Sequence, residues 1–188
     1  MLDAGTGLIS GAATTASTYN VTAQVSDGRG GSASRAFLWI VASGASGPVR
    51  FVKLEALSEV NGNAWASMAE FNLFDPGGVL ISRTSWVASA DSEGSGYPAA
   101  SAIDADATSF WHTSWAPANT PMPHSFVVDM GAAHSIGGFK VLPRQDGGDN
   151  GKIANWRFSV SADGVAWVVM GQGTFAASSD EKTVAFPP

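Results

Sequence analysis

The sequence has no cysteine. Disulfides, thiolate nucleophiles and cysteine-held zinc or iron–sulfur centres are therefore excluded. Three histidines are all that remain for nitrogen-based metal chemistry. Charged residues are scarce as well, at 14% of 188 residues, against about 25% in an average soluble domain. Because 45% of the chain is apolar, a core can form, and the composition is not that of a disordered chain. Ten Lys and Arg stand against sixteen Asp and Glu, for a net charge of −6. Scattered as they are, they build no phosphate-binding surface, which argues against nucleic acid and against anionic membrane. No apolar run approaches the roughly 18 residues of a membrane span. Met1-Leu2-Asp3-Ala4-Gly5 has neither the basic nor the apolar region of a signal peptide. The expectation is a cytosolic protein or a piece of a longer exported chain.

What is present points to strands. Twenty-two Gly and seven Trp stand beside two Tyr and only five Glu, so turn formers and large apolar residues outweigh helix formers. The length allows one ordinary domain with a smaller appendage. In residues 1–42, Tyr19, Val21, Ala23 and Val25 alternate with polar residues, the period of a half-buried strand. Asp27-Gly28-Arg29-Gly30-Gly31 is a turn, after which Phe37, Trp39 and Val41 share a face. Residues 43–48, Ser-Gly-Ala-Ser-Gly-Pro, read as a linker.

Residues 49–188 read as the main domain. Strands are expected at 49–57, 69–74, 79–81, 85–88, 125–130, 138–142, 155–161, 166–171 and 183–186, with turn signals between them and no amphipathic helix of useful length. That pattern is an all-β, antiparallel β-sandwich.

Two clusters carry chemistry, and both fall in loops, where a rigid sandwich places binding groups. In the first, Asp104-Ala105-Asp106-Ala107-Thr108-Ser109 gathers carboxylates and hydroxyls that suit a hard cation such as Ca²⁺. By itself an Asp-x-Asp loop is more often a solvated turn. The second comprises Trp111-His112-Thr113-Ser114-Trp115, Pro123-His124, Pro143-Arg144-Gln145-Asp146 and Asp149-Asn150-Gly151. An indole stacks on the C–H face of a pyranose, while imidazole, guanidinium and amide groups satisfy its hydroxyls. Trp111 is expected to plug the end of the core. Trp115, beside the irregular run Ala-Pro-Ala-Asn-Thr-Pro, is expected to stay outside it.

An enzyme is disfavoured. The carboxylate pairs Asp104/Asp106 and Asp146/Asp149 lie in Gly- or Ala-rich turns rather than apolar pockets. No G-x-S-x-G, H-E-x-x-H or phosphate-binding Gly loop occurs. Asp129, at a strand end before Met130-Gly131, is expected to cap a turn.

Several stretches now carry a resemblance. "VRFVKLEALSEVNGNAWASMAEFNLF" (49–74), "AIDADATSFWHTSW" (102–115), "PHSFVVDMG" (123–131), "GGFKVLPRQDGGDNGKIANWRFSVSADGVAW" (137–167) and "GTFA" (173–176) together resemble the discoidin, or coagulation-factor-5/8 type C, domain. The closest subset is the galactose-binding carbohydrate-binding module family 32 that accompanies bacterial sialidases. The resemblance implies a jelly-roll sandwich with the usual last strand, here 49–57, placed first. It implies one structural Ca²⁺ held by side-chain oxygens of Asp104 and Glu70. Carbonyls near Ala69, Ser101 and Asp106 and an oxygen of Ser109 would complete the set. Ala105 stands where the family usually has Gly, which weakens the site if that position needs a positive φ. For galactose-type sugars the resemblance implies His112, Trp115, Arg144 and Asn150, with Glu93 as a fifth. Similarly, "TYNVTAQVSDGRGGSAS" resembles the end of a bacterial immunoglobulin-like or cadherin-like repeat, the alternative being an ordinary hairpin. The implied protein is a non-catalytic, Ca²⁺-braced module from a larger secreted or cell-surface protein that binds galactose-containing glycans. The alternative is a discoidin-type protein–protein adhesion module. With one exposed aromatic among polar loops, membrane insertion is not expected.

Overall fold

The computed structural model describes residues 5, 17–41, 47–116 and 119–186. The chain divides into two compact units, Met1–Gly44 and Ala45–Pro188. In the first, β1 (Ser17–Ser26) and β2 (Ser32–Val41) form an antiparallel hairpin that pairs Ser26 with Ser32. The expected turn closes it. The Asp27 carboxylate accepts from the Arg29 and Gly31 N–H groups at 2.8 and 3.0 Å. Gly28 and Gly30 take φ values of 67° and 94°, which glycine adopts without a Cβ penalty. The side chains of Trp39 and Val41, and most of the linker, lie outside the described residues.

The second unit is a sandwich of two main sheets. Its elements are β3 (Val49–Ala56), β4 (Ser67–Met68), β5 (Glu70–Phe74), β6 (Val87–Ala90), a 3₁₀ turn (Ala99–Ala102), β7 (Trp111–His112), β8 (His124–His134), β9 (Gly138–Leu142), β10 (Asn155–Ser161), β11 (Val168–Thr174) and β12 (Lys182–Ala185). One sheet runs β11-β10-β3-β8-β6 and the other β12-β9-β5, while β4 and β7 form a short pair at one end. All pairings are antiparallel. The front strand β3 is no edge strand. It lies between β10 and β8, so the slot left by the family's usual strand order is filled from the front of the unit. Several expected strands differ: β11 begins at Val168 rather than Ala166, and β8 runs on to His134. Residues 79–81 make only an isolated bridge, Phe74 to Leu80, and β6 begins at Val87 rather than Ser85. Residues 79–81 follow directly on the Asp75–Gly78 turn, whose Asp75 carboxylate takes the Gly77 and Val79 N–H groups and tightens the corner.

Alternation decides which residues meet. Phe126, Val128 and Met130 of β8, Val52 and Leu54 of β3, and Trp156, Phe158 and Val160 of β10 point inward. Phe71, Leu73, Phe139 and Val141 face them from the other sheet. Phe139 stacks on Phe158 at 4.7 Å between centroids, and Phe71 meets Phe126 edge-on at 5.5 Å. Each such phenyl contributes about 1.5–3 kcal/mol by leaving water. Outside the core, Asp129 accepts from the Gly131 N–H at 2.8 Å and pairs with Arg50, which is a turn-capping arrangement. No helix of the described residues is long and apolar enough to cross a membrane.

Candidate functional site

At the end of the sandwich that carries β4 and β7, a cavity of about 260 Å³ is lined by Trp65, Tyr97, Phe110, His112, Trp115, Arg144 and Asn150. Four residues named from the sequence, far apart in the chain, thus share one cavity. Each is held by identifiable neighbours.

His112 ends β7, where it pairs with Ser67 of β4. The ring is buried, and Nδ1 lies 2.7 Å from the Thr113 carbonyl. A carbonyl only accepts, so Nδ1 donates and the neutral ring keeps a lone pair on Nε2. Burial pushes the His112 pKa below its ordinary value, and the Arg144 cation adds to this against the opposing Thr113 bond.

Trp115 is 47% exposed, whereas Trp111 is 1% exposed and fills the core end. The Trp115 ring meets His112 edge-on at 5.1 Å and 88°, and Tyr97 at 5.5 Å. Gly94 lies against its back. A Cβ there would stand 2.7 Å from the indole Cζ3, so only glycine lets the indole seat this way.

Arg144 follows β9. Its guanidinium forms a two-pronged pair with Asp146, with Nε donating to Oδ1 at 2.7 Å and Nη2 donating to Oδ2. Nη1 donates to the Asn150 carbonyl at 3.2 Å. The guanidinium carbon lies 4.4 Å from the Phe110 ring centroid, a cation–π seat. Gly148 comes so close that a Cβ would stand 2.8 Å from Cζ. The pairing holds the Asp146 carboxyl down at about 2.

Asn150 is fixed through its backbone. Its carbonyl also accepts from Ser67 Oγ at 3.1 Å. The next residue, Gly151 at φ 85°, accepts from the Ser67 N–H through its carbonyl at 2.7 Å and donates its own N–H to the buried Glu59 carboxylate at 3.3 Å. The Asn150 side-chain amide makes no hydrogen bond among the described residues, which leaves all its polar valences for a ligand.

Glu93 is not among the residues lining the cavity, and its Oε1 accepts from the Ala99 N–H at 3.0 Å, at the start of the 3₁₀ turn. The neighbouring Gly94, not Glu93, is the part of that loop in contact with the site. The ring walls Trp65, Tyr97 and Phe110 are not ligand candidates from the sequence, because an aromatic in a loop reads as core unless its backbone path is known; Asp146 belongs to the expected cluster and serves here as the partner of Arg144.

The expected cation loop lies beside the 3₁₀ turn. Ser109 Oγ is the centre of an oxygen cluster. It stands 2.6 Å from Asp104 Oδ2, 3.2 Å from the Ser101 carbonyl and 3.2 Å from the Asp106 carbonyl. The Asp106 carboxylate turns outward to the Thr108 N–H and hydroxyl. Ala105 takes φ 70°, so the position that the family gives to Gly is indeed left-handed here. Glu70 opens β5, which packs against the 3₁₀ turn. One of its oxygens pairs with Arg83, while Oε1 is buried with no hydrogen-bond partner. Ala69 is buried, and its N–H donates to the Leu142 carbonyl at 2.8 Å. Among the described residues no group of three or more His, Cys, Asp or Glu forms a metal cluster, so a cation here would need the carbonyls and the hydroxyl beside the Asp104 and Glu70 carboxylates. That donor set, hard and all-oxygen, with an orphaned buried carboxylate oxygen on the adjoining strand, fits Ca²⁺.

Similarity to known proteins agrees with this frame. The matched stretch is 39% identical over 93 residues to a galactose oxidase of Gibberella zeae, covering 49% of this chain and 14% of that protein. It is 32% identical over 91 residues to a sialidase of Micromonospora viridifaciens, 47% of this chain and 14% of the relative. It is also 32% identical over 92 residues to an A type blood N-acetyl-alpha-D-galactosamine deacetylase of Flavonifractor plautii, 48% of this chain and 12% of the relative. The chain therefore corresponds to a small part of each of these proteins. The F5/8 type C domain model matches residues 87–188, more than half of the chain, and with the sandwich described above the chain belongs to the F5/8 type C, or discoidin, family.

Proposed function

We propose that residues 49–188 are a non-catalytic carbohydrate-binding module that takes a galactose-type sugar in the Trp115 cavity. The observation that carries this reading is the meeting of a half-exposed indole with His112, Arg144 and Asn150 in one cavity of monosaccharide size. Trp115 offers a flat apolar face for the C–H face of a pyranose. His112 Nε2 accepts one hydroxyl proton. Arg144 uses three of its five N–H groups internally, which leaves two to donate. Asn150 both donates and accepts. A hydroxyl standing off the ring face can donate to His112 and accept from Arg144 at once. The axial 4-hydroxyl of galactose does so, while the equatorial one of glucose points along the ring plane.

Ca²⁺ would be held by Asp104, Ser109, the Ser101 and Asp106 carbonyls, and Glu70 with the carbonyl near Ala69. It would supply cross-linking of the loop to the strand rather than reaction chemistry. Ser109 already draws three of these oxygens together, so the loop needs little rearrangement to present them. One stack and a few hydrogen bonds on a monosaccharide support only weak binding, with Kd of about micromolar to millimolar. Such a module serves by holding linked domains near galactose-bearing glycans, where tethering raises effective concentration. The reading implies a secreted or cell-surface parent protein.

The test is titration of the full chain with methyl β-galactoside, lactose and methyl β-glucoside, followed by NMR. The expected result is saturable binding of the first two and at least about tenfold weaker binding of the glucoside, a difference of 1.4 kcal/mol. Equal affinity for all three, or none, would overturn the assignment.

A further inference from the structure

We infer that Asp146 sets the cavity to select uncharged sugars and reject their carboxylated counterparts. The inference rests on the sugar-binding reading above and deepens it to a substrate class. An arginine in a sugar cavity is ordinarily a ready partner for a carboxylate, because its fork matches the two oxygens. Here the Nε/Nη2 edge of that fork is already occupied. Nε and Nη2 are committed to Asp146 and Nη1 to the Asn150 carbonyl. The cation lies against the Phe110 ring and close to Gly148, and only 14% of its side chain is exposed. It cannot swing to a new partner without breaking the pair.

The neighbouring charges cancel in the same way. Lys152 Nζ lies 2.6 Å from Asp149 Oδ1 and 2.9 Å from Ser179 Oγ. Arg144, which lines the cavity, and Lys152, eight residues further along the chain, are thus each already paired. His112 contributes no charge in its neutral form. A sugar carboxylate entering this site would lose water and gain no free cation, the costly case for a buried charge. It would also approach the Asp146 carboxylate, which stays ionised because Arg144 holds its pKa at about 2. A neutral hydroxyl needs only the two remaining N–H groups.

The test compares methyl galactoside with the methyl glycoside of galacturonic acid, which differ only in carrying CH₂OH or a carboxylate at C6. Both are titrated into wild type, Asp146→Asn and Asp146→Ser, with thermal melting as the check on folding. Asp146→Asn keeps one oxygen for the Gly148 N–H and for Arg144, and the residue sits in an exposed turn. The expected result is wild-type preference for the galactoside by about tenfold or more, falling toward unity or reversing in both variants. An unchanged preference in folded variants overturns the role of Asp146 and leaves the galactose reading standing. Equal wild-type affinity for both sugars does the same. Wild type that binds neither sugar overturns both.

Discussion

Replacing Trp115 by alanine separates the two contributions of one side chain. A tryptophan carries roughly 150–250 Å². With 47% of it exposed, roughly 100 Å² faces solvent and a similar area is covered by its neighbours. At about 25 cal/mol/Å², a pyranose that covers half or more of the open face contributes about 1–2.5 kcal/mol, or roughly a 5- to 60-fold change in Kd. The covered half has its own cost on truncation, at most about 2.5 kcal/mol of stability, since extended-chain areas overstate burial. The two are read independently. An NMR titration with methyl β-galactoside, followed at the Arg144 and Asn150 side-chain signals, gives the affinity. Thermal denaturation without sugar gives the stability. A variant that melts somewhat lower but binds within twofold of wild type would refute the stacking role, because the open face would then contribute nothing.

Three further outcomes follow from the same geometry. Burial depresses the His112 pKa below its ordinary 6.5, so the neutral ring is favoured in the folded state. Its stabilising effect is present above 6.5 and is lost as pH falls through the depressed folded value, and the Nε2 acceptor is lost in the same window. Galactoside affinity should therefore be flat around neutrality and fall in acid, and a constant affinity across that range would contradict the acceptor role. Ca²⁺ should stabilise the fold relative to EDTA by about 2.7 kcal/mol at a hundredfold excess over its Kd, read as a higher melting temperature, and Asp104→Ala should abolish the difference. Gly148→Ala puts a Cβ 2.8 Å from Arg144 Cζ and displaces the fork. Losing one hydrogen bond to a charged group should then weaken galactoside binding by roughly tenfold, detectable by the same titration with no charge removed.

The architecture was legible where alternation was strong. Gly138–Leu142 and Asn155–Ser161 are strands with the limits expected from the sequence, because each buries one face and a register slip would expose Phe139 or Phe158. Short pairings were less legible. β4 and β7 have two residues each, too few to set up a period, and they exist because the Thr113 N–H and hydroxyl bond the Ala66 backbone. Val79–Ile81 has strand-forming residues but lies directly after a tight turn, and the turn prevails.

The site was legible by residue type and less so by direction. Glu93 has the right chemistry for a sugar contact and sits one residue from Gly94, which supports Trp115. A single step along an irregular loop reverses a side chain, and the Ala99 N–H offers that carboxylate a local partner. Ala105 shows the converse. Its departure from glycine was visible in the sequence, while its consequence depended on φ. At 70° a Cβ costs roughly 1–2 kcal/mol, yet the turn forms. Two bonds hold it: Asp104 Oδ1 accepts from the Asp106 N–H at 2.8 Å, and Ser109 Oγ closes on Asp104 Oδ2 at 2.6 Å. At about 1.5–3 kcal/mol for each bond to a charged group, these exceed the strain. The oxygens that would hold a cation are therefore gathered by the protein's own hydrogen bonds, and the loop keeps its shape at a position where glycine would have been the easier choice.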